Sequence, residues 1–265
     1  MLVITCEQGS PEWHQARAGA ITASMFTVAR EKVGTLTEQQ RTFVDAVLGG
    51  MTEKEAAELA KYKSVPRSEG IQKALKGEQV GAYSNAAKDY AFRLAVERIS
   101  GEPLDEGFST WAMRRGNELE PEARAAHEAR IEMLITPTGL VTTDDGLFGA
   151  SADGLINDDG GSEYKCLVDP ARIRSIIIDH DLEQFTDQIQ GCMWLTGRKW
   201  WHHVLYCPAL KPAGKELIIH PMQRDDDYIE ALEADLMDFN DLVEQYKEQI
   251  LVSATGIEEA RRMVA

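Results

Sequence analysis

Apolar residues recur at helical spacing in some stretches of the 265-residue chain and at strand spacing in others, with Gly, Pro and Asp punctuating the changes. Ser10-Pro11 marks a turn before a short helix around Trp13, and RAGAITASMF follows, where Thr22 or Ser24 is placed to cap the next helix. Between 85 and 100 the apolar positions Ala86, Ala87, Tyr90, Ala91, Leu94, Ala95 and Ile99 share a helical face that Gly101 stops. Residues 112–130 repeat the period with heavy charge and include Glu120. IEMLIT, LVTT, GLFGASADG and SEYKCLV then read as strands, rich in apolar and β-branched residues. A helix from about Leu182 to Leu195 carries Gln188; KWWHHVLYC and ELIIHPM read as strands, and a long helix runs from Asp226 to about Leu251. Helices, a β-meander, a helix, strands and a helix predict a mixed α/β core, its mixed sheet flanked by helices.

Residues 36–77 stand apart from that core. Thr37 with Gln40 and Thr52 with Glu55 form two capping-box patterns, each opening a short amphipathic helix. Phe43, Val44, Val47 and Leu48 face one way before Gly49-Gly50, Ala56, Leu59 and Ala60 line the second helix, and Pro66 opens a third that holds Ile71 and Leu75. The segment has 7 basic and 6 acidic residues, a balance of +1 where the rest of the chain sums to −17. It resembles the DNA-binding region of phage terminase small subunits, a helix-turn-helix; the alternative is a helical decoration packed on the core or on another subunit. The expected organisation is therefore a discontinuous core, 1–35 and 78–265, with a helical insert at 36–77.

The net charge of −16 argues for a protein that binds neither membranes nor nucleic acid. That argument weakens once the acidity is located: residues 224–265 alone hold 4 basic and 12 acidic side chains. Cys6, Cys166, Cys192 and Cys207 have no C-x-x-C spacing, so neither a zinc nor an iron–sulfur site is indicated. There is no Walker loop and no G-x-S-x-G elbow. With no apolar run of membrane-span length and no basic leader, a cytoplasmic protein without membrane contact is expected. His202 and His203 are adjacent on a strand and point to opposite faces, which suits core or surface histidines better than a metal site.

GASADGLINDDGGSEYKCL, residues 149–167, carries the candidate chemistry. On a strand, Glu163 and Lys165 project to one face while Tyr164 points away, and a hairpin through Asn157-Asp158-Asp159-Gly160-Gly161 brings Asp153 alongside. Two carboxylates and the Tyr164 backbone carbonyl suit Mg²⁺, and the lysine suits orienting or deprotonating a water. This is the arrangement of metal-dependent nucleases. The other reading is a set of ordinary turns with an exposed Glu163–Lys165 ion pair.

Trp13-His14 with RAGAITAS (17–24), RRGNELEPEAR (114–124), SADGL (151–155), EYKC (163–166) and QIQGCMWLTG (188–197) resemble, in order and spacing, the lambda exonuclease family of phage recombination nucleases, which belongs to the restriction-endonuclease-like superfamily. The resemblance spans about residues 11–34 and 82–250. It implies that Asp153 and Glu163 are metal ligands, that Lys165 is the catalytic lysine, that Glu120 serves a second metal or its water shell, and that Gln188 packs beside the active-site strands. It further implies a pocket for a 5′-terminal phosphate made by Arg17, Ser24 and Ser151, with Arg172 or Arg174 as a basic residue after the E-x-K strand. The implied activity is two-metal, Mg²⁺-dependent 5′ to 3′ digestion of linear double-stranded DNA, with Mn²⁺ as a substitute ion. The implied product is a 3′ single-stranded tail for an annealing protein, and the implied assembly a toroidal homotrimer; the aromatic pair Trp200-Trp201 suits an interface as readily as a core strand. The alternative is a DNA-binding protein or an endonuclease on the same fold, recruited by the insert.

Overall fold

Capping residues, prolines and glycines set the element ends seen in the computed structural model, which describes residues 1–78, 80–104 and 111–252. In chain order these are β1 (Leu2–Ile4), α1 (Pro11–Arg17), β2 (Ile21–Thr22), a 3-10 turn (Ala23–Met25), α2 (Phe26–Arg30), β3 (Lys32–Val33), α3 (Glu38–Leu48), α4 (Glu53–Leu59), α5 (Glu69–Leu75), β4 (Ala82–Tyr83), α6 (Asn85–Ser100) and α7 (Trp111–Ile131). They continue with β5 (Ile135–Thr136), β6 (Leu140–Thr142), β7 (Phe148–Ala150), β8 (Gly154–Ile156), β9 (Gly160–Lys165), α8 (Pro170–Ile177), α9 (Glu183–Thr196), β10 (Trp200–Tyr206), β11 (Leu217–Gln223) and α10 (Asp226–Val252). No helix among the described residues is long and apolar enough to cross a membrane.

The chain divides into two units, Met1–Ala29 with Tyr90–Ala265, and Arg30–Asp89. In the larger unit a four-stranded sheet has the order β1-β6-β7-β2 and a five-stranded sheet the order β11-β10-β9-β8-β5. The second is mixed: β9 runs parallel to β10 and antiparallel to β8, so the strand with Glu163 and Lys165 is its centre. The predicted single strand GLFGASADG is in fact two. β7 ends at Ala150, β8 starts at Gly154, and Ser151-Ala152-Asp153 passes from one sheet to the other. Of IEMLIT only Ile135–Thr136 is strand, because Ile131 completes the last turn of α7.

β9 is sandwiched. Ala123 on α7 packs with Tyr164, Val204 and Tyr206 on one face, and α9, with Phe185, Ile189 and Cys192 buried, covers the other. Gly160 and Gly161, expected as turn residues, are required here as strand residues: a Cβ on Gly160 would lie 2.1 Å from the Trp200 ring and one on Gly161 2.2 Å from that of Trp201. Trp201 is fully buried and Trp200 half-buried on β10, so of the two roles open to the pair the core strand is the one seen. The β8–β9 hairpin is clamped from outside, since the Arg198 guanidinium donates to the carbonyls of Asn157 (2.9 Å) and Gly160 (2.5 Å). At residue 22 the anticipated cap is absent: Thr22 precedes the 3-10 turn without a side-chain capping bond, and its hydroxyl instead accepts from Arg17.

In the smaller unit both capping boxes form, Thr37 with Gln40 and Thr52 with Glu55. Phe43, Val44, Ala56, Ala57, Ala60 and Ile71 make its core, while Leu48 and Leu59, expected on the buried faces, are exposed. The third helix starts after Ser68, whose hydroxyl accepts from the Ile71 amide, and not at Pro66. Residues 60–68 separate α4 from α5, a longer connection than the tight turn expected of a helix-turn-helix. β3 pairs antiparallel with β4, Val33 opposite Ala82, so the chain enters and leaves residues 36–77 at neighbouring points.

Overpacking a closed core typically costs about 1–3 kcal/mol. Gly161→Ala, which drives a methyl into the buried Trp201 ring, is expected to destabilise the fold by about 2 kcal/mol; urea melts of both proteins measure it.

Candidate active site

Alternation along β9 decides which side chains meet. Glu163 and Lys165 face α9, and Tyr164 faces α7, as strand geometry demands. The Glu163 carboxylate is buried, and its Oε1 accepts from Lys165 Nζ at 2.8 Å and from Gln188 Nε2 at 2.6 Å. Gln188 turns its carbonyl back to Lys165 Nζ at 3.1 Å, closing a three-residue ring. The Glu163–Lys165 pair is thus a buried, tethered one and not an exposed surface ion pair. Asp153 reaches the same place from the inter-sheet link, its Oδ2 accepting from the Tyr164 amide at 2.7 Å.

These carboxylates crowd one another. Burial, then the charges of Glu163 and Glu120, push the Asp153 carboxyl well above its ordinary range, and burial raises Glu120 in spite of its ion pair with Arg124. Burial alone would lower the Lys165 pKa; Glu163 and Asp153 reverse this and hold the ammonium protonated above its usual value. Pro121 follows Glu120 within α7 and has no N–H, so the Asn117 carbonyl lacks its helical partner one turn back, where Asn117 lines the cavity.

Of the residues singled out in the sequence, Arg17, Ser24, Glu120, Ser151, Asp153, Glu163, Tyr164, Lys165, Arg172 and Gln188 line one cavity of about 640 Å³. At its far end the Arg17 guanidinium lies 3.9 Å over the Trp13 ring and donates to Thr22 Oγ1 at 3.0 Å. Trp13 Nε1 donates to Ser151 Oγ at 2.8 Å, which occupies an acceptor position and leaves the serine O–H to donate. Between the two arginines after the E-x-K strand the structure chooses: Arg172 lines the cavity, while Arg174 pairs with Asp179 at 2.7 Å outside it. Trp13, Thr22, Asn117, Gln184 and Phe185 also line the cavity and were not anticipated as site residues. Trp13 lay within a quoted motif, but nothing in sequence spacing says that its ring would seat Arg17.

Glu163 Oε2 is buried and has no hydrogen-bond partner among the described residues, which is costly for a carboxylate oxygen unless a cation takes it. With Glu163 and Glu120 close enough to add their charges to the burial that raises Asp153, the donor set is hard oxygen and fits Mg²⁺. Among the described residues no three His, Cys, Asp or Glu side chains already converge as a cage. Mg²⁺ sites usually have none, since one or two carboxylates, waters and substrate phosphate complete the shell.

Residues 12–199 match the YqaJ-like viral recombinase domain. The chain belongs to that family. Its fold is that of an alkaline exonuclease from Laribacter hongkongensis, LHK-Exo, which aligns at TM-score 0.63 and 24% identity over 97% of this chain and 100% of the other. The structure of LHK-Exo in complex with dAMP aligns at TM-score 0.62 and 26% identity, covering 95% of this chain and 99% of that one. None of the curated proteins matches. The YqaJ-like recombinase domain therefore has the restriction-endonuclease-like α/β core and the lambda-exonuclease-type relationship that the five ordered motifs implied.

Beneath the site, His203 of β10 sits level with Glu163, fully buried against Phe185, with neither ring nitrogen hydrogen-bonded. Burial lowers it to about 3, and burial with His202 lowers His127 to about 4. Between these values and the ordinary 6.5 the unfolded chain binds protons that the folded one does not, so stability is full above pH 6.5 and falls as pH drops through that window. His203→Phe is expected to make this acid-side fall shallower by about 1.4 kcal/mol per pH unit, read from urea melts between pH 4 and 6.5.

Proposed function

We propose that this recombinase domain is an Mg²⁺-dependent 5′ to 3′ exonuclease of linear double-stranded DNA. The observation that carries the reading is the buried, unpartnered oxygen of Glu163 beside Asp153, Glu120 and Lys165, in one cavity with Arg17, Ser24 and Ser151. LHK-Exo, which shares the fold, is an alkaline exonuclease and has been captured with dAMP, a nucleotide of the kind that DNA digestion releases.

Asp153, Glu163 and the Tyr164 carbonyl would hold a first Mg²⁺, and Glu120 would serve a second or its waters, with Mn²⁺ able to replace them. The ions supply Lewis acidity toward the scissile phosphate and an acidified water. Arg17 and the Ser24 and Ser151 hydroxyls bind the terminal 5′ phosphate; a guanidinium with hydroxyl donors is the natural host for a dianion. That fixes the end of the strand and so the polarity. Lys165, protonated and tethered to Glu163 and Gln188, orients the attacking water through its one remaining N–H and offsets charge on the phosphate. Gln188 keeps both partners in place, and Arg172 takes a neighbouring phosphate.

The product is a duplex with a 3′ single-stranded tail, which an annealing protein receives, and a ring-shaped homotrimer accounts for processive action with an acidic exterior. The Arg30–Asp89 unit adds a second contact to DNA or to the partner. Because β3 and β4 pair at its base, residues 36–77 can be replaced by a short Gly-Ser turn; unchanged DNA affinity, processivity and partner binding in that protein would remove this role.

The decisive experiment follows nucleotide release in Mg²⁺ from a linear duplex with one 5′-phosphorylated and one 5′-hydroxyl end. Release from the phosphorylated end is expected, with closed circular duplex untouched, and Lys165→Ala is expected to slow it by about 100-fold or more. Cutting of closed circles would favour an endonuclease, and intact linear DNA a binding protein.

A further inference from the structure

α9 shows the cavity three side chains in a row, Gln184, Phe185 and Gln188, spaced to share one face of the helix. Gln188 is tied to Glu163 and Lys165. The other two act on Arg172. The Gln184 side-chain carbonyl accepts from Arg172 Nε at 3.1 Å, and the Arg172 guanidinium carbon lies 5.6 Å from the centroid of the Phe185 ring. Lys165 Nζ lies 5.7 Å from that same centroid. Phe185 itself is buried and braced from below by the His203 ring, 4.4 Å away between centroids and tilted by 31°.

Both cations stand within the range at which a ring face attracts positive charge. Their surroundings otherwise differ. Lys165 has Glu163 as counter-charge, whereas no acidic side chain pairs with Arg172 among the described residues. A neutral amide occupies its Nε and an aromatic ring its flank, while the residue itself is exposed and lines the cavity, which leaves its two terminal amino groups to a ligand. An arginine held this way is oriented but not neutralised. The contrast with Arg174 two residues on, neutralised by Asp179, shows that counter-ions were within reach of this helix.

We infer that Gln184 and Phe185 are positioning residues that present Arg172 to a backbone phosphate of the DNA substrate and hold it in register with Lys165. The inference rests on the nuclease reading for the identity of the ligand. A fork-shaped donor with fixed orientation loses less freedom on binding a phosphate than a free surface arginine does. Gln184 sets the rotation of the fork, since it takes the one nitrogen that a phosphate does not need. Phe185 links the two cations, because moving its ring moves both.

The test is a double-mutant cycle on equilibrium binding of a 5′-phosphorylated duplex, measured by fluorescence anisotropy in EDTA so that no cleavage occurs. Arg172→Ala is expected to weaken binding about tenfold and Gln184→Ala about fivefold. The double variant is expected to bind like Arg172→Ala alone, because Gln184 acts only through the arginine. In Mg²⁺, Gln184→Ala should raise KM with kcat within about twofold, Phe185→Leu should lower kcat and raise KM together, and Phe185→Tyr should restore both. Additive losses in the cycle, or a Phe185→Leu enzyme with both constants unchanged, would overturn the inference. Coupling in the binding cycle with no cleavage by the wild type would leave the positioning role standing and remove the nuclease reading alone; cleavage with an additive cycle would do the reverse.

Discussion

A carboxylate buried in the central strand of a sheet has to be compensated, and the compensation of Glu163 organises the rest of this molecule. One of its oxygens is met by an ammonium and an amide from Lys165 and Gln188. The other is left without a partner in a closed setting. Half-satisfied buried charge is unstable by itself, and proteins keep it where a ligand completes it. Lys165 stays charged because Glu163 and Asp153 are there; Asp153 resists ionisation because it is buried beside Glu163 and Glu120. The site is a set of mutually dependent charges.

That arrangement needs a rigid β9, and the far face of the strand supplies it. The Tyr164 hydroxyl lies 3.1 Å from His127 Nδ1, and His127 Nε2 lies 3.0 Å from His202 Nδ1, which joins α7, β9 and β10 through one polar chain. With both imidazoles lowered by burial they are neutral near pH 7, so the chain carries no charge of its own toward the carboxylates. Gly160 and Gly161 lay the two tryptophans flat across the start of the same strand. One strand therefore has the charged groups of the cavity on one face and a neutral polar chain on the other.

The link Ser151-Ala152-Asp153 ties the two ends of the cavity together. Ser151 closes the four-stranded sheet and meets Trp13 beside Arg17; Asp153 opens the five-stranded sheet and meets Tyr164. Two residues apart in the chain, they tie the Arg17 side of the cavity to its carboxylate side.

Much of this was legible in the residues. Period and punctuation placed the long helices within a residue or two, both capping boxes formed, and the i, i+2 spacing of Glu163 and Lys165 put them on one face because strand geometry permits nothing else. The ordered motifs carried the family. What spacing cannot encode is which distant surface a side chain meets. GLFGASADG reads as one strand by composition, yet the chain changes sheets inside it. Leu48 and Leu59 were misplaced between surface and core because amphipathic pattern does not say where neighbouring elements end. Gln184, Phe185 and Trp13 are ordinary residues until folding sets Arg172 and Arg17 against them. The sequence by itself determined the local geometry and the charged groups; only the tertiary structure decided which of those charges are buried, which are paired, and which oxygen of Glu163 is left over, since desolvation is a property of the packed assembly and not of the chain.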